Sequence, residues 1–145
     1  MTLTRTHIQA FATLLRSHAT LVRQIDQDLA AAGKVPLEVY DLLLELEDAE
    51  GERLTMRELA LRSVMSPSGI TRLVDRMAKK EFVCRQSNPL DGRSTHAVLC
   101  PAGKKAREDA WPVLQESLRK FFAVQFTESE AEALRSLLAR CTPKG

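Results

Sequence analysis

Two helix-start signals stand close together in the middle of this chain and leave little room between them. Thr55-x-x-Glu58 is a capping box, in which the threonine hydroxyl and the glutamate carboxylate each satisfy a helix-terminal amide. Ser66-Pro67 is the second signal: serine accepts from the first turn, and proline lacks the amide that would go unpaired there. The helix between them, MRELALRS, is therefore short, and only Ser63-Val64-Met65 remains as a link. Two short helices with so tight a connection predict a helix-turn-helix unit, here without the glycine often found in its turn.

The second of these helices, SPSGITRLVDRMAKK, sorts its side chains by face. At about 100° per residue, Ile70, Leu73, Val74 and Met77 gather on one side and Ser68, Thr71, Arg72, Asp75, Arg76 and Lys79 on the other. Arginine can bond both acceptors on a guanine edge, while serine and threonine hydroxyls suit bases or phosphates. The amides at Ser66–Ser68 suit a phosphate. An ordinary solvated helix face would carry similar residues, but it would not account for the basic hairpin that follows.

That hairpin is read from two β-prone segments, FVCRQS and STHAVLC, around the turn formers Asn88-Pro89-Leu90-Asp91-Gly92-Arg93. They predict an antiparallel pair with a six-residue loop. Arg93 would sit at the tip, where a cation can enter a minor groove. Asp91, being anionic, reads equally well as an orienter of an arginine and as a turn former before glycine.

The flanks read as helices. Residues 3–32 form one amphipathic helix stopped by Gly33, and Pro36 opens a second, ended by Gly51, whose Leu42-Leu43-Leu44 cluster implies that most of it is covered. Pro101 opens a helix to about residue 124, with a kink or restart expected at Pro112. Thr127-x-x-Glu130 opens the last helix, with Leu134, Leu137 and Leu138 as its apolar stripe. The expected fold is mostly α with a small β-hairpin wing, an α+β arrangement in a single domain over residues 1–145.

The formal net charge of +2 conceals a split: −4 over residues 1–53, +7 over 54–107 and −1 over 108–145. Only the middle suits a polyanion. Lys79, Lys80, Lys104, Lys105 and Arg107 fit phosphate attraction and simple solubility about equally. With 44% hydrophobic and 28% charged residues, composition excludes a disordered or fibrous chain. No apolar run reaches the roughly 18–20 residues that cross a bilayer, and no secretory signal opens the sequence, so no membrane partner is expected.

Cys84, Cys100 and Cys141 include no C-x-x-C pair, which argues against a disulfide scaffold or zinc ribbon and for a cytoplasmic setting. His7 and His18 share a helix face but would lie about 16 Å apart at 1.5 Å per residue, too far for one ion. With no Walker loop, GxGxxG, HExxH or GxSxG, neither an enzyme nor a cofactor is expected, and no metal.

The stretch Leu54–Gly103 resembles the winged helix-turn-helix of the MarR family of bacterial transcriptional regulators. The resemblance rests on S-x-S-G-I-T-R-L-V-D-R-M as recognition helix and N-P-x-D-G-R as wing, followed by V-L-x-x-x-G, and the flanking helices match the family's layout. It implies a homodimer joined through residues 1–34 and 101–145, with residues 36–100 as the winged module. It also implies a palindromic operator in double-stranded DNA, with half-sites about 34–36 Å apart or a multiple of that. Ser66, Ser68, Thr71, Arg72 and Arg76 would face the major groove and Arg93 the minor groove, with Asp91 as orienter.

A repressor released by a small aromatic effector would fit the family. His7, His18, Tyr40 and Trp111 are candidate lining rings, with partly buried packing the simpler reading. Two positions depart from the pattern: Glu81 replaces a glycine after the recognition helix, leaving the left-handed stop lost or strained, and Cys100 replaces a capping threonine. Relatives that sense peroxide use a cysteine near the N-terminal helix, which is lacking here. The rival readings are a winged protein-interaction module and a thiol switch at Cys84 or Cys100, which flank the hairpin.

Overall fold

The computed structural model describes residues 1–142 apart from Val64, Pro89 and Leu90; of Asn88 and residues 91–93 it describes the backbone alone. The elements run α1 (Arg5–Ala31), α2 (Leu37–Asp48), β1 (Arg53–Thr55), α3 (Met56–Arg62), α4 (Pro67–Lys79), β2 (Val83–Asn88), β3 (Asp91–Leu99), α5 (Pro101–Phe121) and α6 (Glu128–Leu138). Mostly helical with a small antiparallel sheet, this is the expected fold class.

The chain divides into two compact units, Leu29–Pro112 and a second made of Met1–Asp28 with Val113–Gly145. In the first, Leu42, Leu43 and Leu46 of α2 join Leu59, Ile70, Leu73, Val74, Met77, Val83, Ala97 and Leu99 in one core. Each fully buried leucine or isoleucine there contributes about 1.5–3 kcal/mol. The sheet order is β1-β3-β2, all antiparallel. The sequence reading missed β1, whose Arg53, Leu54 and Thr55 pair with Val98, Ala97 and His96. Three residues are too few to display an alternating pattern; the strand exists because β3 offers it an edge.

Two other expectations change. The six-residue hairpin loop shrinks, because β2 continues to Asn88 and pairs it with Asp91 across an irregularity after Ser87. Polar turn formers still pair through their backbones at the end of a ribbon, and the connection left, Pro89-Leu90, lies outside the described residues. Helix α5 runs unbroken through Pro112, with no restart. Proline's φ is already helical, so the loss is one hydrogen bond on an exposed turn.

The stop after α4 survives without glycine. Glu81 takes φ +61°, its amide donates to Ala78 O and that of Phe82 to Met77 O, both at 3.0 Å. This is a Schellman closure with Phe82 and Met77 packed in the core region. A left-handed side-chain-bearing residue costs about 1–2 kcal/mol, so the stop is strained rather than lost. One glycine is required by close approach: a Cβ on Gly103 would lie 2.2 Å from the Phe82 carbonyl oxygen and 3.0 Å from Leu43 Cδ2.

In the second unit, Ile25 and Ser117 are buried, and Ser117 Oγ donates to Asp28 at 2.7 Å. Ile8, Phe11, Leu14 and Leu15 of α1, with Val124, Phe126 and Leu137, are exposed. No helix among the described residues is long and apolar enough to cross a membrane.

Candidate nucleic-acid interface

Helix α4 presents the two faces its sequence dictates. Ile70, Leu73, Val74 and Met77 are at most 2% exposed, while Ser68, Thr71, Arg72, Asp75, Arg76 and Lys79 face water. Ser66 caps the helix, its Oγ accepting from Gly69 N at 3.2 Å and lying 3.3 Å from Ser68 Oγ. That cap narrows the expected anion site: Pro67 has no amide and the Gly69 amide is taken, which leaves the Ser66 and Ser68 amides and the serine hydroxyls to meet a phosphate. Thr71 Oγ1 donates to Pro67 O at 3.1 Å, so toward a partner it can only accept. Arg72 Nε reaches Ser68 O at 3.4 Å, and among the described residues its guanidinium has no carboxylate partner.

Arg76 is placed differently. Its Nη2 lies 3.3 Å from Glu38 Oε1 of α2, at the flank of the exposed face. The residue that sequence reasoning missed is Arg85. From β2 its Nη2 sits 3.0 Å from Asp75 Oδ1 and donates to Thr71 O at 3.5 Å, so it neutralises the one carboxylate on the α4 face and ties that helix to the wing strand. Strand alternation held the signal, since Arg85 shares a face with Val83, which is buried. Asp91 and Arg93 belong to β3, but their side chains lie outside the described residues.

The positive middle of the chain is largely compensated. Arg62 pairs with Glu45 at 3.6 Å, Lys104 with Glu52 at 3.8 Å and Lys105 with Asp109 at 2.8 Å. Arg107 is held in a fork by Glu47, one arm at 3.2 Å. These cations are engaged in structure, which leaves Arg57, Arg72, Lys79 and Lys80 as the described basic residues of this stretch with no carboxylate partner.

Of the four rings, Tyr40 is buried and stacks on half-exposed Trp111 with centroids 6.4 Å apart, a packing pair. His7 and His18 are exposed rather than partly buried, and His7 Nδ1 lies 2.7 Å from Thr4 Oγ1. Among the described residues no group of histidine, cysteine and carboxylate side chains could hold a metal ion.

The family model described as MarR family matches residues 34–94. The chain is 30% identical over 127 residues to the uncharacterized HTH-type transcriptional regulator YsmB of Bacillus subtilis, covering 86% of this chain and 83% of that protein. A shorter match, 32% over 91 residues, is to YcgE of the same organism, of which the chain spans 58%. Among solved structures, AbsC, a MarR family transcriptional regulator from Streptomyces coelicolor, superposes with a TM-score of 0.81 at 28% identity, covering 95% of this chain and 93% of that one. Sco3205 of the same organism and family, solved in complex with DNA, gives 0.85 at 23% identity, over 97% and 88%.

Proposed function

This chain belongs to the MarR family of transcriptional regulators, and from that premise we propose that it is a homodimeric, non-enzymatic repressor that binds palindromic duplex DNA in the cytoplasm. The observation that carries the reading is the exposed polar face of α4, backed by a closed core and with its one carboxylate neutralised by Arg85. Such a helix offers a major groove hydroxyls and an arginine without a competing anion. Ser66, Ser68 and Thr71 serve backbone and base-edge contacts, Arg72 reads a base, and Arg76 exchanges Glu38 for a phosphate. Arg93 enters the minor groove with Asp91 as its orienter. That a protein of this fold has been solved with DNA supports the assignment.

The exposed apolar side chains of α1 and of residues 124–137 support pairing with a second copy through residues 1–34 and 101–145. A small aromatic ligand that releases the DNA belongs to the same reading. Titration of duplex binding against salt tests it: affinity falling with a slope of about −0.9 per phosphate contact, together with a palindromic preference, is the expected result. Absence of duplex binding at low salt would leave a protein-interaction module instead.

A further inference from the structure

The hydroxyl groups on the exposed face of α4 differ in what they can still do. The Ser66 and Ser68 oxygens lie 3.3 Å apart and either can be the donor, so the Ser68 hydroxyl can turn to give or to accept. Thr71 has no such freedom. Its one proton is committed to the Pro67 carbonyl one turn back, at 3.1 Å, and its own carbonyl is held by Arg85 Nη2 at 3.5 Å. Thr71 is exposed, so its hydroxyl oxygen meets a partner as an acceptor of fixed direction. Arg72, the next residue, is the opposite: its guanidinium only donates, and among the described residues it has no carboxylate partner.

We infer that Thr71 and Arg72 together select a G·C pair in each half-site, with the arginine fork on guanine N7 and O6 and the Thr71 hydroxyl accepting from the N4 amino group of the paired cytosine. This rests on the duplex binding proposed above and adds the base pair that the site takes.

Order along the edge of the pair decides between the alternatives. In the major groove a G·C pair presents two neighbouring acceptors and then a donor, whereas an A·T pair places its donor between two acceptors. An arginine fork needs the neighbouring acceptors. What then remains on the edge is the cytosine amino group, the complement of a hydroxyl that can only accept. Guanine or thymine in the cytosine's place sets a carbonyl oxygen against the Thr71 oxygen, and Thr71 must give up Pro67 before it can donate. The two side chains leave α4 about 100° apart around the axis and 1.5 Å apart along it. That rise is less than the roughly 3.4 Å between stacked pairs, which lets both meet one pair.

The test uses the full chain and a duplex library whose random core spans about two helical turns. Duplexes recovered by the parent define the half-site. In a fluorescent copy, each cytosine is then replaced in turn by pyrimidin-2-one, which is cytosine without its amino group and leaves the opposing guanine in place. One such replacement should weaken the parent about tenfold by anisotropy. Thr71→Val keeps the shape of the side chain and loses its oxygen, so it should bind the two duplexes equally. Thr71→Ser keeps the oxygen and its bond to Pro67, and should restore the difference. A purely structural role for Thr71 would instead lower affinity for both duplexes and leave their ratio unchanged. Both variants should match the parent in circular dichroism and in affinity for a duplex lacking the half-site.

A difference that persists in Thr71→Val would overturn the role of Thr71; one that disappears only in Asp75→Asn would assign it to the carboxylate that Arg85 holds. Half-sites in which no cytosine is sensitive, or in which thymine is preferred through the Thr71 methyl, would overturn the G·C assignment. A parent that binds no duplex at low salt would sink the proposed function. Duplex binding without any base preference would sink only the pairing of Thr71 and Arg72 with G·C.

Discussion

Arg85 and Asp75 fasten the wing to the helix in front of it: Nη2 of the arginine lies 3.0 Å from Oδ1 of the aspartate, with both side chains at least one-third exposed. For folding such a pair contributes little, roughly 0–1 kcal/mol. Its weight falls on DNA, where a lone carboxylate would repel phosphate. Arg85→Gln should therefore lower duplex affinity about tenfold, some 1.4 kcal/mol, while shifting the urea midpoint only slightly. Adding Asp75→Asn to that variant should recover part of the affinity. Anisotropy titrations of both proteins check this, and a double variant no better than Arg85→Gln alone would show that the exposed carboxylate is not the cause.

Arg72 and Arg76, one turn apart on α4, should behave unlike each other. Arg72→Ala should cost about 1–3 kcal/mol and relax the preference at one base pair; uniform weakening on all sequences would assign it to a phosphate. Arg76 is held by Glu38. Glu38→Gln should free it, tighten binding at low salt and steepen the salt slope by about one phosphate contact. An unchanged slope would remove Arg76 from the interface.

Gly103→Ala should be among the most damaging small substitutions in the chain. The added Cβ meets backbone rather than a flexible side chain, the Phe82 carbonyl at 2.2 Å, so helix α5 must move away from the start of the wing. A loss of about 3 kcal/mol is expected, at the upper end for overpacking. Chemical denaturation measures it, and a variant within about 0.5 kcal/mol of the parent would contradict the packing.

Asp41 gives a pH signature. The residue is exposed on α2, and partial burial of its carboxyl raises it somewhat from its ordinary value, so the folded chain binds this proton slightly more tightly than the unfolded one and the effect on stability is small. The associated stability is fully present below the unfolded value and is lost as pH rises through the raised folded value. Asp41→Asn should therefore be more stable than the parent at neutral pH, with the advantage fading below the ordinary carboxylate range. Thermal midpoints at pH 3.5 and pH 7 decide it, at about those two values; an equal difference at both would sink the argument.

What could be read from the sequence is what local chemistry decides. The core face Ile70, Leu73, Val74 and Met77 follows from helical spacing, and the Thr55, Ser66 and Thr127 caps follow from side chains that reach their own first turn. What escaped depends on neighbours distant in the chain. Strand β1 exists only where β3 can pair with it. The pairing of Arg62, Arg76, Lys104 and Arg107 with Glu45, Glu38, Glu52 and Glu47 joins segments that had been counted as separate charge blocks. Gly103 was legible only as the last position of V-L-x-x-x-G; the reason for it, the Phe82 carbonyl beside it, comes from chain packing.

The water-facing Ile8, Phe11, Leu14, Leu15, Val124, Phe126 and Leu137 carry a consequence for dose. If two chains must meet to cover them before an operator is bound, occupancy at low expression follows the square of chain concentration. Halving the cellular supply would then cut bound operator about fourfold by mass action. The regulated promoter would feel growth and cell division through this apolar surface, before any small molecule intervened.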